Sequence, residues 1–157
     1  MFSRALKPIL LGGIVAASID ILVACLLNHR SVPFILHSIA GGLLAQRAYA
    51  GGAATALLGL LLQEAMGIII AAIYVLAARR WDDLRQGWVT WGVIYGVVIF
   101  AVMNYIVLPL SAWRVVPRFS LMSFAGNLAA MFLFGLIVAF FASRFGQRAT
   151  AARKPTP

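Results

Sequence analysis

The sequence predicts an all-α polytopic membrane protein, a bundle of four transmembrane helices. Of its 157 residues 63% are hydrophobic and only 11% charged, and the mean hydropathy is +0.97, far more apolar than a soluble domain. Four stretches are long enough for a helix to cross a hydrocarbon core, which takes about 20 apolar residues. Cations punctuate the segments between these stretches, as they do in the short loops of membrane proteins.

The first span covers about 8–28 and stops at Asn28-His29-Arg30. Within it, SIDILVACLL (18–27) holds two competing signals. Leu22-Val23-Ala24-Cys25 has the shape of a lipobox, at which a bacterial leader is cut before the cysteine. Asp20 interrupts the apolar core that such a leader needs, and Leu26-Leu27 carry the apolar run past the cysteine, so a retained span is expected. Cys25 is then a small buried thiol; as the single cysteine, it excludes an intramolecular disulfide and a cysteine-based zinc cage.

The segment SVPFILHSIAGGLLAQRAYAGG (31–52) is too apolar for a simple loop and too interrupted for a span. Ser31-Val32-Pro33 reads as a helix start and Gly51-Gly52 as a break, giving a short helix over about 32–49. On it Ile35, Leu36, Ile39, Ala40 and Leu43 share one face, while His37, Ser38, Gly41, Ala45 and Gln46 share the other. The pattern suits an interfacial or shallow re-entrant helix, or one that simply lids the bundle.

The remaining spans cover about 53–78, 89–110 and 121–142, bounded by Arg79-Arg80, Trp88, Pro109 and Arg144. Trp81, Trp88, Trp91 and Trp113 fall near the ends, where an aromatic belt belongs. Four spans put both termini on one side. Arg4, Lys7, Arg79, Arg80, Arg85, Arg144, Arg148, Arg153 and Lys154 belong to that side, against Arg30, Arg47, Arg114 and Arg118 on the other. This bias predicts cytoplasmic termini. Residues 1–146 form one membrane domain, and 147–157, QRATAARKPTP, a flexible basic tail. The net charge of +9 is spread between apolar runs, so the lipid bilayer, not nucleic acid, is the expected partner.

Four carboxylates are present. Asp82 and Asp83 lie beside Arg79, Arg80 and Arg85 in a solvated turn. Asp20 and Glu64 fall inside spans, where an ionisable group costs about 2.5 to 3.5 kcal/mol and usually faces the bundle interior or a water-filled cavity. Gly13, Ala16, Ala17, Asp20 and Ala24 form one face of the first span, small residues that let helices approach closely. Ala56, Gly59, Gln63, Gly67 and Tyr74 form a similar face on the second, with Glu64 at its edge. The depths of Asp20 and Glu64 let them meet, in which case one shared proton is expected rather than two charges. Asn104 and Asn127 add polar groups from the third and fourth spans. A cluster of Asp20, Glu64, Gln63, Asn104 and Asn127, open toward His37 and Arg47, is the candidate site. For the two asparagines, interhelical hydrogen bonding is the simpler role. For the carboxylates, a proton relay, cation coordination and a protonated structural carboxyl stay open.

Gly92-Val93-Ile94-Tyr95-Gly96 is a GxxxG, read as packing together with Gly13, Ala17, Gly59 and Gly67. His29 and His37 have no HExxH or closely spaced carboxylate partner, and GxSxG, Walker A and dinucleotide-loop motifs are absent from the sequence. No catalytic residue, metal or cofactor is therefore expected, although a membrane enzyme with scattered site residues remains a third possibility.

The pieces GGIVAASIDIL, HSIAGGLLAQRAYAGGAATALLGL, YVLAARR and YGVVIFAVMNYIVLPLSA resemble small four-helix bacterial inner-membrane proteins of the YagU type, mostly without assigned function. The resemblance covers about residues 10–142 and implies an inner-membrane location and a four-span layout. Asp20, Asn104, Pro109 and Ser111 are the matching positions. The group often carries histidine at the position of Gln63 and near that of Ala130, so the resemblance brings no histidine relay or metal site to this chain. The expected function is a small transporter or ion-conducting protein, a homo-oligomer because four helices rarely enclose a path alone. The rival expectation is an accessory protein or scaffold whose small-residue faces dock a larger membrane complex.

Overall fold

The computed structural model describes the backbone of residues 3–151 and the side chains of 5–145. Among these residues there is helix and no strand. Helix α1 (Ser3–Asn28) is followed by α2 (Val32–Leu44), a 3-10 turn (Ala45–Ala50), α3 (Gly52–Arg80) and the single turn α4 (Asp83–Gln86). Helix α5 (Trp88–Val102) continues through a π segment (Met103–Val107) into a last α turn, α6 (Leu108–Leu110), and α7 (Leu121–Ala151) closes the fold. Four helices are long and apolar enough to cross a membrane: Ala5–Asn28, Gly52–Arg80, Trp88–Leu110 and Leu121–Phe145. The Leu22–Cys25 stretch lies inside α1, and Cys25 is half-buried.

The last helix runs past the expected span end at 142 and takes in 147–151, the start of the expected flexible tail. Ala, Arg and Gln in this stretch are good helix formers. Residues 152–157, with Arg153 and Lys154, lie outside the described residues, as do the side chains of Arg4 and Arg148.

Small residues decide which helices touch. A Cβ on Gly13 would stand 2.7 Å from the Ile68 Cα, and one on Gly67 would stand 2.7 Å from the Ala17 Cβ, so α1 and α3 pack backbone to backbone there. On the other side, a Cβ on Gly96 would stand 2.5 Å from the Met131 carbonyl, and Gly135 meets the Gly92 carbonyl. These contacts join α5 to α7. Helices α1 and α7 pack against each other at the centre, with α3 and α5 flanking them. The core between them holds Ala17, Ala71, Val138 and Ala139, all with no exposed surface.

Helices α3 and α5 barely approach each other, because each has spent its glycine face on a central helix. Their facing surfaces keep branched side chains such as Ile69, Ile73, Val98 and Val102. Across this seam the Tyr95 hydroxyl donates to the Ile70 carbonyl (2.8 Å), and the rings of Tyr74 and Tyr95 lie 5.0 Å apart.

The short helix ends at Leu44, earlier than the expected 49. Ala45 turns into the left-handed region (φ 51°), where its N–H still bonds the Gly41 carbonyl, and the chain reverses through the 3-10 turn. Thr55 fixes that turn by donating to the Ala48 carbonyl (2.8 Å), and Gly52 (φ +57°) starts α3. Gly59 meets the Leu36 carbonyl, so this glycine serves α2 rather than a transmembrane neighbour. The expected two-faced pattern of α2 is also revised. Leu43, assigned to the apolar face, is 61% exposed, whereas Gly41 of the polar face is buried under Trp113. The Trp113 indole donates to the Ser38 carbonyl (3.1 Å), and the Ala112 N–H donates to the Gly42 carbonyl (2.8 Å). Trp113 therefore clamps α2.

Candidate functional site

Inside the bundle lies a cleft of about 160 Å³, in the half nearer α2, to which all four long helices contribute. Its polar lining is Asp20 from α1, Gln63 from α3, Asn104 from the π segment and Asn127 from α7. The remaining wall includes three thioethers, Met66, Met103 and Met131, and two aromatic rings, Phe100 and Phe134.

Asp20 reaches the cleft because the Gly13–Ala17 face draws α1 onto α3, and the next residue on that face points the same way. Gln63 sits one helical turn before Gly67 on the matching face. Its Nε2 donates to Asp20 Oδ2 across 2.9 Å, linking the two helices.

Asn104 owes its position to a widened turn. The N–H of Leu108 bonds the Met103 carbonyl, five residues back. Pro109 lacks the N–H that would have reached the Tyr105 carbonyl, and its ring crowds that oxygen, so the turn before it opens. Such π segments recur at functional sites. The amide nitrogens of Asn104 and Asn127 donate to carbonyls four residues earlier in their own helices, Phe100 (2.9 Å) and Ser123 (2.8 Å). The three amides and Asp20 thus share one cleft, while only Gln63 is hydrogen-bonded to the carboxyl.

Glu64 is not among the residues that line the cleft. Adjacent residues on a helix point about 100° apart, and the turn that aims Gln63 inward carries Glu64 toward Ser18. The Ser18 hydroxyl donates to Glu64 Oε1 (3.0 Å), while Oε2 is buried with no hydrogen-bond partner. The two carboxyls thus have separate partners, and no hydrogen bond joins them. Ser18 itself is exposed on the outer side of α1.

His37 and Arg47 also lie elsewhere. His37 Nε2 donates to the Gly52 carbonyl (2.9 Å), and its ring packs 6.1 Å from that of Tyr49. Arg47 is exposed on the 3-10 turn. Both belong to the cap that α2 and Trp113 build over one end of the bundle. The opposite end is closed by α4, where Arg85 pairs with Asp82 and the Tyr74 hydroxyl donates to the Leu84 carbonyl (3.0 Å).

Sequence reasoning missed the thioethers and rings of the cleft. Their one available signal was spacing: Met66 is three residues from Gln63, Phe100 four from Asn104, and Met131 four from Asn127, each one turn from a polar group. Among the described residues no group of three or more His, Cys, Asp or Glu is placed to hold a metal ion. No family model, curated protein or solved structure matches this chain.

Proposed function

We propose that this protein is a small cation-conducting or cation-transporting protein of the bacterial inner membrane, with Asp20 as the group that bears the coupling or transported charge. One observation carries the reading: a carboxyl and three amide side chains, one from each long helix, line a single cleft inside the bundle. Amide groups alone would suffice to join the helices, and an ionisable group at this depth is costly unless it is used. The charge bias of the loops supports cytoplasmic termini, and the sequence resemblance supports membership of the YagU type.

The test is flux in proteoliposomes under an imposed proton or cation gradient. The wild-type chain is expected to conduct, Asp20→Asn to lose the flux, and Glu64→Gln to retain it because Glu64 lies outside the cleft. Wild-type traces that match empty liposomes would sink the reading. Reporter fusions at the two termini test the orientation.

A second reading, that of a docking or scaffold protein, rests on the Ser18–Glu64 pair. Ser18 is exposed in the middle of a membrane-spanning helix, and Glu64 Oε2 has no partner. A second copy or another membrane protein packed there would meet the exposed Ser18 hydroxyl at its bond to Glu64. Intact-mass measurement of the complex in mild detergent distinguishes a lone chain from a homo-oligomer or a stoichiometric complex.

A further inference from the structure

The seam between α3 and α5 holds an apolar groove of about 270 Å³. Ile69 and Ile73 line it from α3, and Val98, Val102 and Val107 from the α5 side. Met66, Ile70, Ile99 and Met103 belong to both the groove and the polar cleft. The two spaces therefore adjoin, with two flexible thioethers in the shared wall. Unbranched Met side chains adapt readily to what lies beside them.

The two ends differ in chemistry. The groove offers hydrocarbon, with Ile73 and Val98 58% and 48% exposed along it. The cleft offers one ionisable group, the Asp20 carboxyl, together with the amide side chains of Gln63, Asn104 and Asn127 and the rings of Phe100 and Phe134. Carboxyl oxygens, carbonyl oxygens and ring faces all favour a cation. No Lys, Arg or His lines either space. At about 160 Å³ the cleft far exceeds the roughly 10–15 Å³ that admits a single water, leaving room for a small ammonium head.

We propose that cleft and groove form one site for a single-chain amphiphilic ammonium, its head beside Asp20 and its chain between α3 and α5. This rests on the reading of the cleft as a cation site, and it names the class of cation. Entry is sideways from the bilayer through the α3–α5 seam, which among the described residues is bridged by the Tyr95–Ile70 hydrogen bond and the Tyr74–Tyr95 ring contact.

The test uses the full chain in a neutral maltoside detergent, with native mass spectrometry counting bound dodecyltrimethylammonium. Wild type is expected to hold one molecule per chain, and both Asp20→Asn and Val98→Trp to weaken its binding by at least about tenfold. Asp20→Asn keeps an acceptor for Gln63, and Val98→Trp fills the groove from an exposed position. Ile73→Trp blocks it from the opposite wall if the Val98 variant misfolds. Tetramethylammonium, the head without a chain, is expected to bind at least about tenfold more weakly than the amphiphile. Undiminished binding in Asp20→Asn or in the groove-blocked variants, or equal binding of tetramethylammonium, overturns the joint site. Binding and flux are separate readouts. Flux by a chain that shows no ammonium binding leaves the conduction reading standing and defeats this one, and binding without flux does the reverse.

Discussion

Gln63 donates its amide to Asp20 across 2.9 Å, and this bond ties α1 to α3 at the cleft. Four residues further along α3, and three to seven residues back along α1 toward the α4 end, the same two faces meet closely: Gly67 lies against Ala17 and Gly13. The acid thus sits where the close small-residue contact gives way to a polar one. Its position is fixed by packing that does not depend on its charge.

Removal of Gln63 is therefore expected to cost more than neutralisation of Asp20. Gln63→Leu leaves a buried carboxyl without its donor, a loss of about 1 to 3 kcal/mol. Asp20→Asn keeps an oxygen in place for Gln63 Nε2, so its cost stays nearer the average of about 0.6 kcal/mol for interhelical bonds in membranes. The double variant Asp20→Leu/Gln63→Leu leaves no orphan and should be more stable than Gln63→Leu alone. Unfolding in detergent at increasing denaturant measures all three.

The glycine contacts give a second contrast. Gly96→Ala places a Cβ 2.5 Å from the Met131 carbonyl and must push α5 off α7, a strain of about 1 to 3 kcal/mol. In Gly42→Ala the nearest atom to the new Cβ is the Ser111 Cβ at 4.0 Å. There the better helix propensity of alanine, about 0.5 to 1 kcal/mol, is expected to dominate and stabilise α2. Thermal melts of the two variants should move in opposite directions.

The spans could be read from the sequence to within a few residues at most ends because hydrocarbon thickness sets their length. The faces of Asp20 and Gln63 could also be read, since each lies in register with a row of small residues. The choice between Gln63 and Glu64 could not. The carboxylate was the more telling residue chemically, but the rotation of α3 against α1 aims its neighbour at Asp20. The order α3, α1, α7, α5 across the bundle leaves no local trace, so neither did the open seam or the groove in it. The Trp113–Ser38 bond spans 75 positions and was equally hidden.

Tyr95 is expected to hold the seam. Tyr95→Phe keeps the ring against Tyr74 but removes the donor to the Ile70 carbonyl. Losing a bond of about 0.6 kcal/mol shifts an open–closed equilibrium of α3 and α5 by about threefold. Spin labels at positions 73 and 98, both on exposed branched residues, with Cys25→Ser to leave no other thiol, report the separation. The expected result is a larger population at long distance in the variant. An unchanged distance distribution would show that the hydrogen bond does not hold the seam.

Trp113 and Gly41 should behave as one unit. The indole covers Gly41 and donates to Ser38, so a Cβ at position 41 would run into the ring. Gly41→Ala is therefore expected to lift Trp113 and speed amide exchange over 111–114, whose N–H groups are hydrogen-bonded, by about tenfold, the effect of losing about 1.4 kcal/mol locally. Trp113→Ala removes the same contact and exposes the same segment. Once the ring is gone, an alanine at position 41 has nothing to strike, so the double variant should exchange no faster than Trp113→Ala alone. Such non-additivity identifies residues that act through one contact. Additive effects would mean that Gly41 is required for a reason other than the tryptophan above it.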